Sequence, residues 1–322
     1  MPRVSVIITV KNGLPFLGKA IASVQRQTFT DWELIVLDDG STDDTWSYLQ
    51  TLQEPRLVTL RQENTGVATA KNRAIARSKG AYIAILDADD YWEPAKLEQQ
   101  VAFLDQHPPC VLLGTAARII DPEDHYLYTE GKPRDDAENR RMLEIKNAWT
   151  HSSILFRREA FDQIGGYYEP IRQYFVDYML VYQLGQVGQM YQLPTPLVRY
   201  RIRSGSLSTK SDGRAFRELM MRSLRTGKVS AADQKKLAAI KQNERATPHF
   251  KEAVFHLFLG RTYLLHHHQP GRARSHLKKV RKLAPQLKIA HLYYGLSFVP
   301  HALIHWAYRQ LSPNAAYIYL EK

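Results

Sequence analysis

The stretch Leu86-Asp87-Ala88-Asp89-Asp90 closes the apolar run Ala81-Tyr82-Ile83-Ala84-Ile85-Leu86. Three carboxylates within four residues repel one another and resist burial unless something compensates their charge. At the carboxyl edge of a buried strand they suit a hard divalent cation, which takes oxygen ligands and keeps positions open for substrate phosphates. The alternative is an acidic strand-to-helix loop serving only as a turn and helix N-cap.

The preceding sequence favours a site. Val4-Ser5-Val6-Ile7-Ile8-Thr9-Val10 is a β-branched run that reads as a strand buried on both faces. Glu33 to Leu37 is a second strand, running into Asp38-Asp39-Gly40-Ser41-Thr42-Asp43, and Leu57 to Leu60 and Tyr82 to Leu86 are a third and fourth. Helical patterns over Phe16 to Gln27, Asp43 to Leu52 and Val67 to Ser78 separate them. Strands alternating with helices predict an α/β fold with a mainly parallel sheet, whose ligands gather at the carboxyl ends of the strands. Asp38, Asp39, Asp87 and Asp89 all fall there. A dinucleotide-binding turn would read Gly-x-Gly-x-x-Gly, whereas the turn after the first strand is Lys11-Asn12-Gly13-Leu14-Pro15-Phe16. No Gly-Lys-Ser/Thr P-loop occurs either, so a diphosphate would be neutralised by metal and side chains.

These segments resemble family 2 glycosyltransferases of the GT-A (nucleotide-diphospho-sugar transferase) fold, inverting and metal-dependent enzymes that use nucleotide-sugar donors. Further matching pieces are Ser23 to Thr28, Asn64 to Asn72, Gly80 to Pro94, Ser152 to Arg157, Ile164 to Tyr167 and Pro196 to Arg201. They occur in order over roughly the first two thirds of the chain. The resemblance implies that Asp39 accepts from the N3–H of a uracil or thymine and that Thr9 lines the base and ribose pocket. Lys71, where the family usually has Arg, would face the base or diphosphate as a point charge rather than a planar fork. Asp87 would lie near the ribose and Asp89 would ligate Mn²⁺ or Mg²⁺. Asp177, in Tyr174-Phe175-Val176-Asp177-Tyr178, matches the general base; the competing reading is a helix N-cap. Arg201 falls in the nucleotide-sugar-binding closing motif. Arg203 stands where the family commonly has His; arginine does not ligate metal, and its alternatives are a diphosphate partner or a solvated charge. His151 lies on the acceptor-side strand.

Charge separates the tail from the rest. Residues 1–213 carry 24 Lys+Arg and 27 Asp+Glu, whereas residues 214–322 carry 20 and 5, a balance of +15. Ala215 to Lys241 reads as a charged connector with breaks at Gly227 and Pro248. His256 to Gly260 with Tyr263, then Ala273, Leu277, Val280 and Pro285, resemble one tetratricopeptide-like hairpin, with His266-His267-His268 in its enlarged turn. One such unit must bury its face against something else. Ile289 to Tyr308 contains no Asp, Glu, Lys or Arg, but His291, His301, His305, Gly295 and Pro300 oppose a membrane span. Its stripe of Leu292, Leu296, Val299, Leu303 and Trp306 fits either packing on a protein core or, with Trp306 and Tyr308, shallow contact with an anionic membrane.

The expected organisation is a GT-A domain over 1–213, a helical connector over 214–248 and a basic helical region over 249–322. Within the GT-A domain, residues 1–92 are expected to bind the nucleotide-sugar and residues 93–213 the acceptor. Cys110 is the sole cysteine, and the sequence enters its first strand by Val4 without a leader. Both features lead to the expectation of a cytoplasmic protein, and the basic tail to one peripheral at the inner face of the membrane. The expected activity is transfer of a sugar from UDP or dTDP to a glycan or lipid-linked acceptor. The alternative is a non-catalytic nucleotide-sugar-binding protein acting through its tail. Nucleic acid is not the expected partner, since the tail carries no recognised nucleic-acid motif.

Overall fold

The computed structural model describes residues 1–131, 134–171, 175–204, 214–245, 248–300 and 302–303. The first half runs β1 (Val4–Val10), α1 (Leu14–Gln25), β2 (Trp32–Asp39), α2 (Thr45–Thr51), β3 (Leu57–Gln62), α3 (Val67–Ala76) and β4 (Tyr82–Ile85). It continues through β5 (Tyr91–Trp92), α4 (Lys96–Gln106), β6 (Cys110–Ile120), β7 (Tyr126–Glu130), α5 (Asp136–Leu143), β8 (Leu155–Arg157), α6 (Arg158–Gln163), α7 (Val176–Val187) and β9 (Gln189–Arg201). Among the described residues α8 (Arg214–Thr226), α9 (Ala231–Arg245), α10 (Pro248–Leu265), α11 (Pro270–Leu283) and α12 (Lys288–Leu296) follow.

The sheet order is β3-β2-β1-β4-β8-β6-β9-β5, with β7 on β6. The strands β3, β2, β1 and β4 are mutually parallel, and β8 then joins β4 antiparallel. The β-branched run of β1 is central because both its edges are paired, and its side chains are buried apart from the half-buried Thr9. Register brings the acids together. Ile7 lies level with Ile35 and Ile85, and Val10 with Asp38. The ladder continues as the Leu86 amide donates to the Ile7 carbonyl at 3.0 Å, so β1, β2 and β4 release Thr9, Asp38–Asp39 and Asp87 at one edge. Helix α1 starts two residues earlier than its periodicity suggests, because Pro15 in the first turn needs no N–H partner and has the helical φ built in.

The chain divides into two compact units, one of Met1–Arg118, Thr129–Tyr200 and Arg214–Lys235, the other of Ile119–Tyr128, Arg201–Gly213 and Lys236–Lys322. In the second, α10 packs on α11 at Gly260, where a Cβ would stand 2.6 Å from Leu277 Cγ, so only glycine permits this approach. Ala253, Val280, Ala284 and Ala290 form the core of the three helices, flanked by Leu257, Leu283 and Leu287. The run His266-His267-His268 occupies the α10–α11 turn, as expected, with His268 in the left-handed region at φ 56°. The stripe on and beyond α12 is open to solvent, with Leu292 56 %, Val299 38 % and Leu303 58 % exposed. Leu296 is half-buried, and His301, His305, Trp306 and Tyr308 lie outside the described residues. No helix among the described residues is long and apolar enough to cross a membrane.

Candidate active site

The site begins where β2 ends. Asp38 is fully buried; its Oδ1 accepts from the Ser41 amide at 2.9 Å and Arg61 lies 3.5 Å from its Oδ2. Asp39 is the anchor of the β3–α3 loop. Its Oδ1 accepts from Gln62 Nε2 at 2.7 Å and the Thr65 amide at 3.0 Å, and its Oδ2 from the Gly66 amide at 3.1 Å. Gly40 makes this approach feasible: its φ is +75°, and a Cβ there would stand 2.8 Å from the Asn64 nitrogen. Side chains also tie the β1–α1 loop to the β2–α2 loop. The Asn12 amide donates to Ser41 Oγ at 2.9 Å, and Asn12 Oδ1 accepts from the Thr42 amide at 2.8 Å. Thr9 lies level with Leu37, next to this edge.

The Asp-x-Asp segment follows β4. Lys71 reaches from α3 and places its Nζ 2.8 Å from Asp87 Oδ1; the lysine side chain is 1 % exposed and the aspartate 34 %. His151, in the short 3₁₀ turn His151–Ser153, stands with Nδ1 3.4 Å from Asp87 Oδ2 and Nε2 2.9 Å from the Tyr167 hydroxyl. Burial would push the Asp87 carboxyl up, but the Lys71 ammonium and then His151 outweigh it and hold the group well below the usual carboxylate range. Asn72 grips Tyr167 reciprocally, donating to its carbonyl and accepting from its amide, both at 2.8 Å. Asp90 is 1 % exposed and accepts from the Ser152 hydroxyl, whose oxygen in turn accepts from the Asp87 amide at 3.0 Å. Asp89, between them, is half-buried.

Asp177 sits in the first turn of α7. The cap position belongs to Phe175, held in the left-handed region at φ 35°. Asp177 is therefore inside the helix, where a carboxylate meets the positive end of the helix dipole. Two phenols mark its neighbourhood. Tyr167, 2 % exposed, is pushed well above its ordinary value by burial and by the charges of Asp87 and Asp177. Tyr200 is displaced in the same direction by burial and by Asp90, Asp87, Asp177 and Asp89. The acidic cluster after β4 and the acid of α7 thus act on the same side chain.

Arg201 and Arg203 fall in the second unit. The Arg201 guanidinium, 1 % exposed, donates to the carbonyls of Asp121 at 3.1 Å and Pro122 at 3.0 Å and pairs with Asp124 at 2.5 Å. Arg203 is partly buried, and the closing motif beyond Ser204 lies outside the described residues. Among the described residues one triad of ligand-type side chains has donor atoms within 4.8 Å of one another, namely Asp121, Glu123 and His125. Asp121 there accepts the amides of Glu123 at 2.9 Å and His125 at 2.8 Å, the bonding of a tight turn, and its other oxygen accepts the Tyr263 hydroxyl of α10 at 2.5 Å.

Tyr167, Tyr200, Ser152 and Asn12 join this candidate site although sequence reasoning did not single them out, and Asp90, read there as one of three clustered carboxylates, turns out buried on Ser152. Tyr167 follows the Gly165-Gly166 pair and Ser152 follows His151, so both stood inside recognised segments. A lone tyrosine or serine carries no spacing signal, however; only the three-dimensional partners reveal it.

Comparison with known proteins bears on the family and the fold. The model of the family described as "Glycosyl transferase family 2" matches residues 5–165. The chain is 30% identical over 216 residues to the putative teichuronic acid biosynthesis glycosyltransferase TuaG of Bacillus subtilis, covering 65% of this chain and 82% of that protein. Over 106 residues it is 37% identical to WfaP of Escherichia coli, named as a UDP-Glc:alpha-D-GlcNAc-diphosphoundecaprenol beta-1,3-glucosyltransferase, covering 33% of this chain and 42% of WfaP. Among three relatives, the match spans 64%, 65% and 82% of their own lengths. In three dimensions the chain resembles S. aureus TarS 1-349 in complex with UDP-GlcNAc, with a TM-score of 0.56 and 17% identity over 96% of this chain and 92% of that one.

Proposed function

The chain belongs to glycosyl transferase family 2, and on that premise we propose that it moves a hexose from a UDP- or dTDP-sugar to a hydroxyl of a glycan or lipid-linked acceptor, inverting the anomeric centre. The observation that carries this reading is the register that delivers Thr9, Asp38–Asp39 and Asp87 to one edge of the sheet, with Lys71 2.8 Å from Asp87.

Asp39 reads the base. A carboxylate has about four acceptor positions, and its Oδ2, with the Gly66 amide bound, keeps one for a pyrimidine N3–H. The N1–H and amino group of guanine are donors too, so the preference for a pyrimidine rests on the UDP-bound form of the TarS neighbour rather than on Asp39 alone. Thr9 borders the base and ribose, Lys71 holds Asp87 ionised beside the ribose and diphosphate, and Arg201 and Arg203 serve the closing motif. His151, fixed between Asp87 and Tyr167, borders the acceptor.

The donor set suits a divalent cation. Asp87 and Asp89 are half-buried carboxylates close together after β4, hard oxygen donors of the kind such an ion takes, and the Lys71 ammonium pairs with Asp87. Asp89, with Asp87 close by, would hold Mn²⁺ or Mg²⁺. When bound, the ion stabilises the leaving diphosphate. Asp177 takes the proton from the acceptor hydroxyl as its oxygen bonds to the anomeric carbon and the bond to the nucleoside diphosphate breaks.

Two variants test the assignment. Asp89→Ala is expected to abolish the metal-dependent component of UDP binding, measured by calorimetry. Asp177→Asn is expected to keep UDP binding and to cut transfer by about 10²–10⁴-fold, the usual worth of a positioned base. Near-normal transfer by Asp177→Asn would place the base elsewhere.

The tail extends the proposal to location. The +15 balance of residues 214–322 and the exposed Ile289, Leu292 and Phe298 suit an anionic membrane at the cytoplasmic face. WfaP, by its name, acts on a diphosphoundecaprenol-linked sugar, and a lipid-linked acceptor would be met at such a surface.

A further inference from the structure

Ser152 is fully buried and makes three contacts that converge on the acidic loop. Its hydroxyl oxygen accepts from the Asp87 amide at 3.0 Å, and its hydroxyl proton goes to the carboxylate of Asp90. Its carbonyl accepts from the Trp92 indole N–H at 2.7 Å. The loop closes on itself as well, the Asp90 amide donating to the Asp87 carbonyl at 3.0 Å. One hydroxyl therefore fastens both ends of Asp87–Asp90 while Asp89 stands between them.

The turn that presents Ser152 is itself braced. Gln100 Nε2 donates to the carbonyls of Ser153 at 2.9 Å and Leu113 at 3.1 Å, and Gln100 Oε1 accepts from Lys96 Nζ at 2.7 Å. Lys96 Nζ also lies 3.9 Å over the Trp92 ring, so one buried amine links the two side chains that hold the 152–153 carbonyls. Asp90, 1 % exposed, is built inward rather than toward a ligand.

We propose that Ser152 and Asp90 form a positioning clamp that aims Asp87 and Asp89 at the donor diphosphate and its cation. This rests on the donor reading given above. Neither residue touches donor or cation; both act through the loop. Outer partners of this kind typically change metal affinity by about 10–100-fold.

The test measures UDP affinity with Mn²⁺ and with EDTA, alongside hydrogen exchange of the unliganded full chain over residues 86–92. Ser152→Ala and Asp90→Ala are expected to weaken UDP binding in Mn²⁺ by about tenfold or more and to leave binding in EDTA unchanged. Exchange over 86–92 should rise while exchange in β1 stays as in the parent. Asp90→Asn keeps an acceptor for the Ser152 hydroxyl and should rescue both readouts; the double alanine variant should be no worse than either single one. Unchanged exchange over 86–92 in Ser152→Ala would overturn the clamp, and so would Asp90→Asn failing as badly as Asp90→Ala, since the charge of Asp90 would then act directly. A parent protein whose UDP binding ignores Mn²⁺ would instead overturn the donor reading, and the exchange data would still decide the clamp.

Discussion

Lys71 carries its ammonium into the interior and sets it 2.8 Å from Asp87, with His151 on the other side of the same carboxylate. A lysine is a compact charge, so it neutralises one oxygen and leaves the other to the imidazole. Removing it leaves a partly exposed carboxylate without its buried cation. Lys71→Met is therefore expected to lower stability by about 1–3 kcal/mol, less than for a fully buried pair because water still reaches Asp87. It should also change the acid limb of UDP binding. In the parent the Asp87 carboxyl is depressed, so it stays ionised as pH falls through the usual carboxylate range. In Lys71→Met its value rises, and UDP affinity in Mn²⁺ should begin to fall at a higher pH. Superimposable pH profiles for the two proteins would show that Lys71 does not set the charge of Asp87. The sequence placed Lys71 and Asp87 in one site but not in one ion pair, because the pairing depends on how α3 packs against β1 and β2, an outcome without a local signal.

At the scale of elements, the parallel half of the sheet was legible and the antiparallel half was not. β1 to β4 are β-branched runs punctuated by acidic and glycine turns, and the sequence pattern locates each within two residues of its observed limits. β5 has two residues and β8 three, and both exist through distant partners: Tyr91 opposite Arg199, and Leu155 opposite Leu113 and Ala84. The α10–α11 pair was legible through its small and apolar positions, but its polar seam was not. His256 Nδ1 and His276 Nδ1 lie 2.9 Å apart, so one donates and the other accepts, and both cannot carry a proton there. The His276 ring also stacks on Tyr263 at 5.6 Å between centroids. Burial, then His256 and Lys279, push His276 down to about 4, and burial also lowers His256 and His266. The unfolded chain takes up these protons near the ordinary value of 6.5, before the folded one does. Stability is thus complete above that value and lost as pH falls from about 6.5 toward about 4. Thermal melts of the full chain between pH 7.5 and 4.5 should show the loss, and His276→Phe, which keeps a ring against Tyr263, should flatten it. An equally steep decline in His276→Phe would assign the pH dependence to other groups.

For the whole molecule, the positive charge and the acidic cluster occupy different regions of the chain. The residues of the acidic cluster belong to the first compact unit, while most of the positive balance belongs to the tail. Attraction of a basic surface to anionic lipid is worth about 1 kcal/mol per well-placed Lys or Arg and is screened within a Debye length. The protein should cosediment with phosphatidylglycerol vesicles at low salt, release as salt rises, and ignore phosphatidylcholine vesicles. Truncation after Gly213 should abolish binding. If the full chain stays in the supernatant with anionic vesicles at low salt, its basic helices serve packing or a protein partner instead. The central claim is a pyrimidine-nucleotide donor site at the edge where β1, β2 and β4 release their acids. Calorimetric titration of the full chain with UDP and with GDP in Mn²⁺, repeated on Asp39→Ala, tests it most directly. UDP should bind well in preference to GDP, and Asp39→Ala should weaken UDP by roughly 1.5–3 kcal/mol, the worth of a hydrogen bond to a charged group. Equal affinity for UDP and GDP, or an Asp39→Ala variant that binds UDP as tightly as the parent, would contradict it.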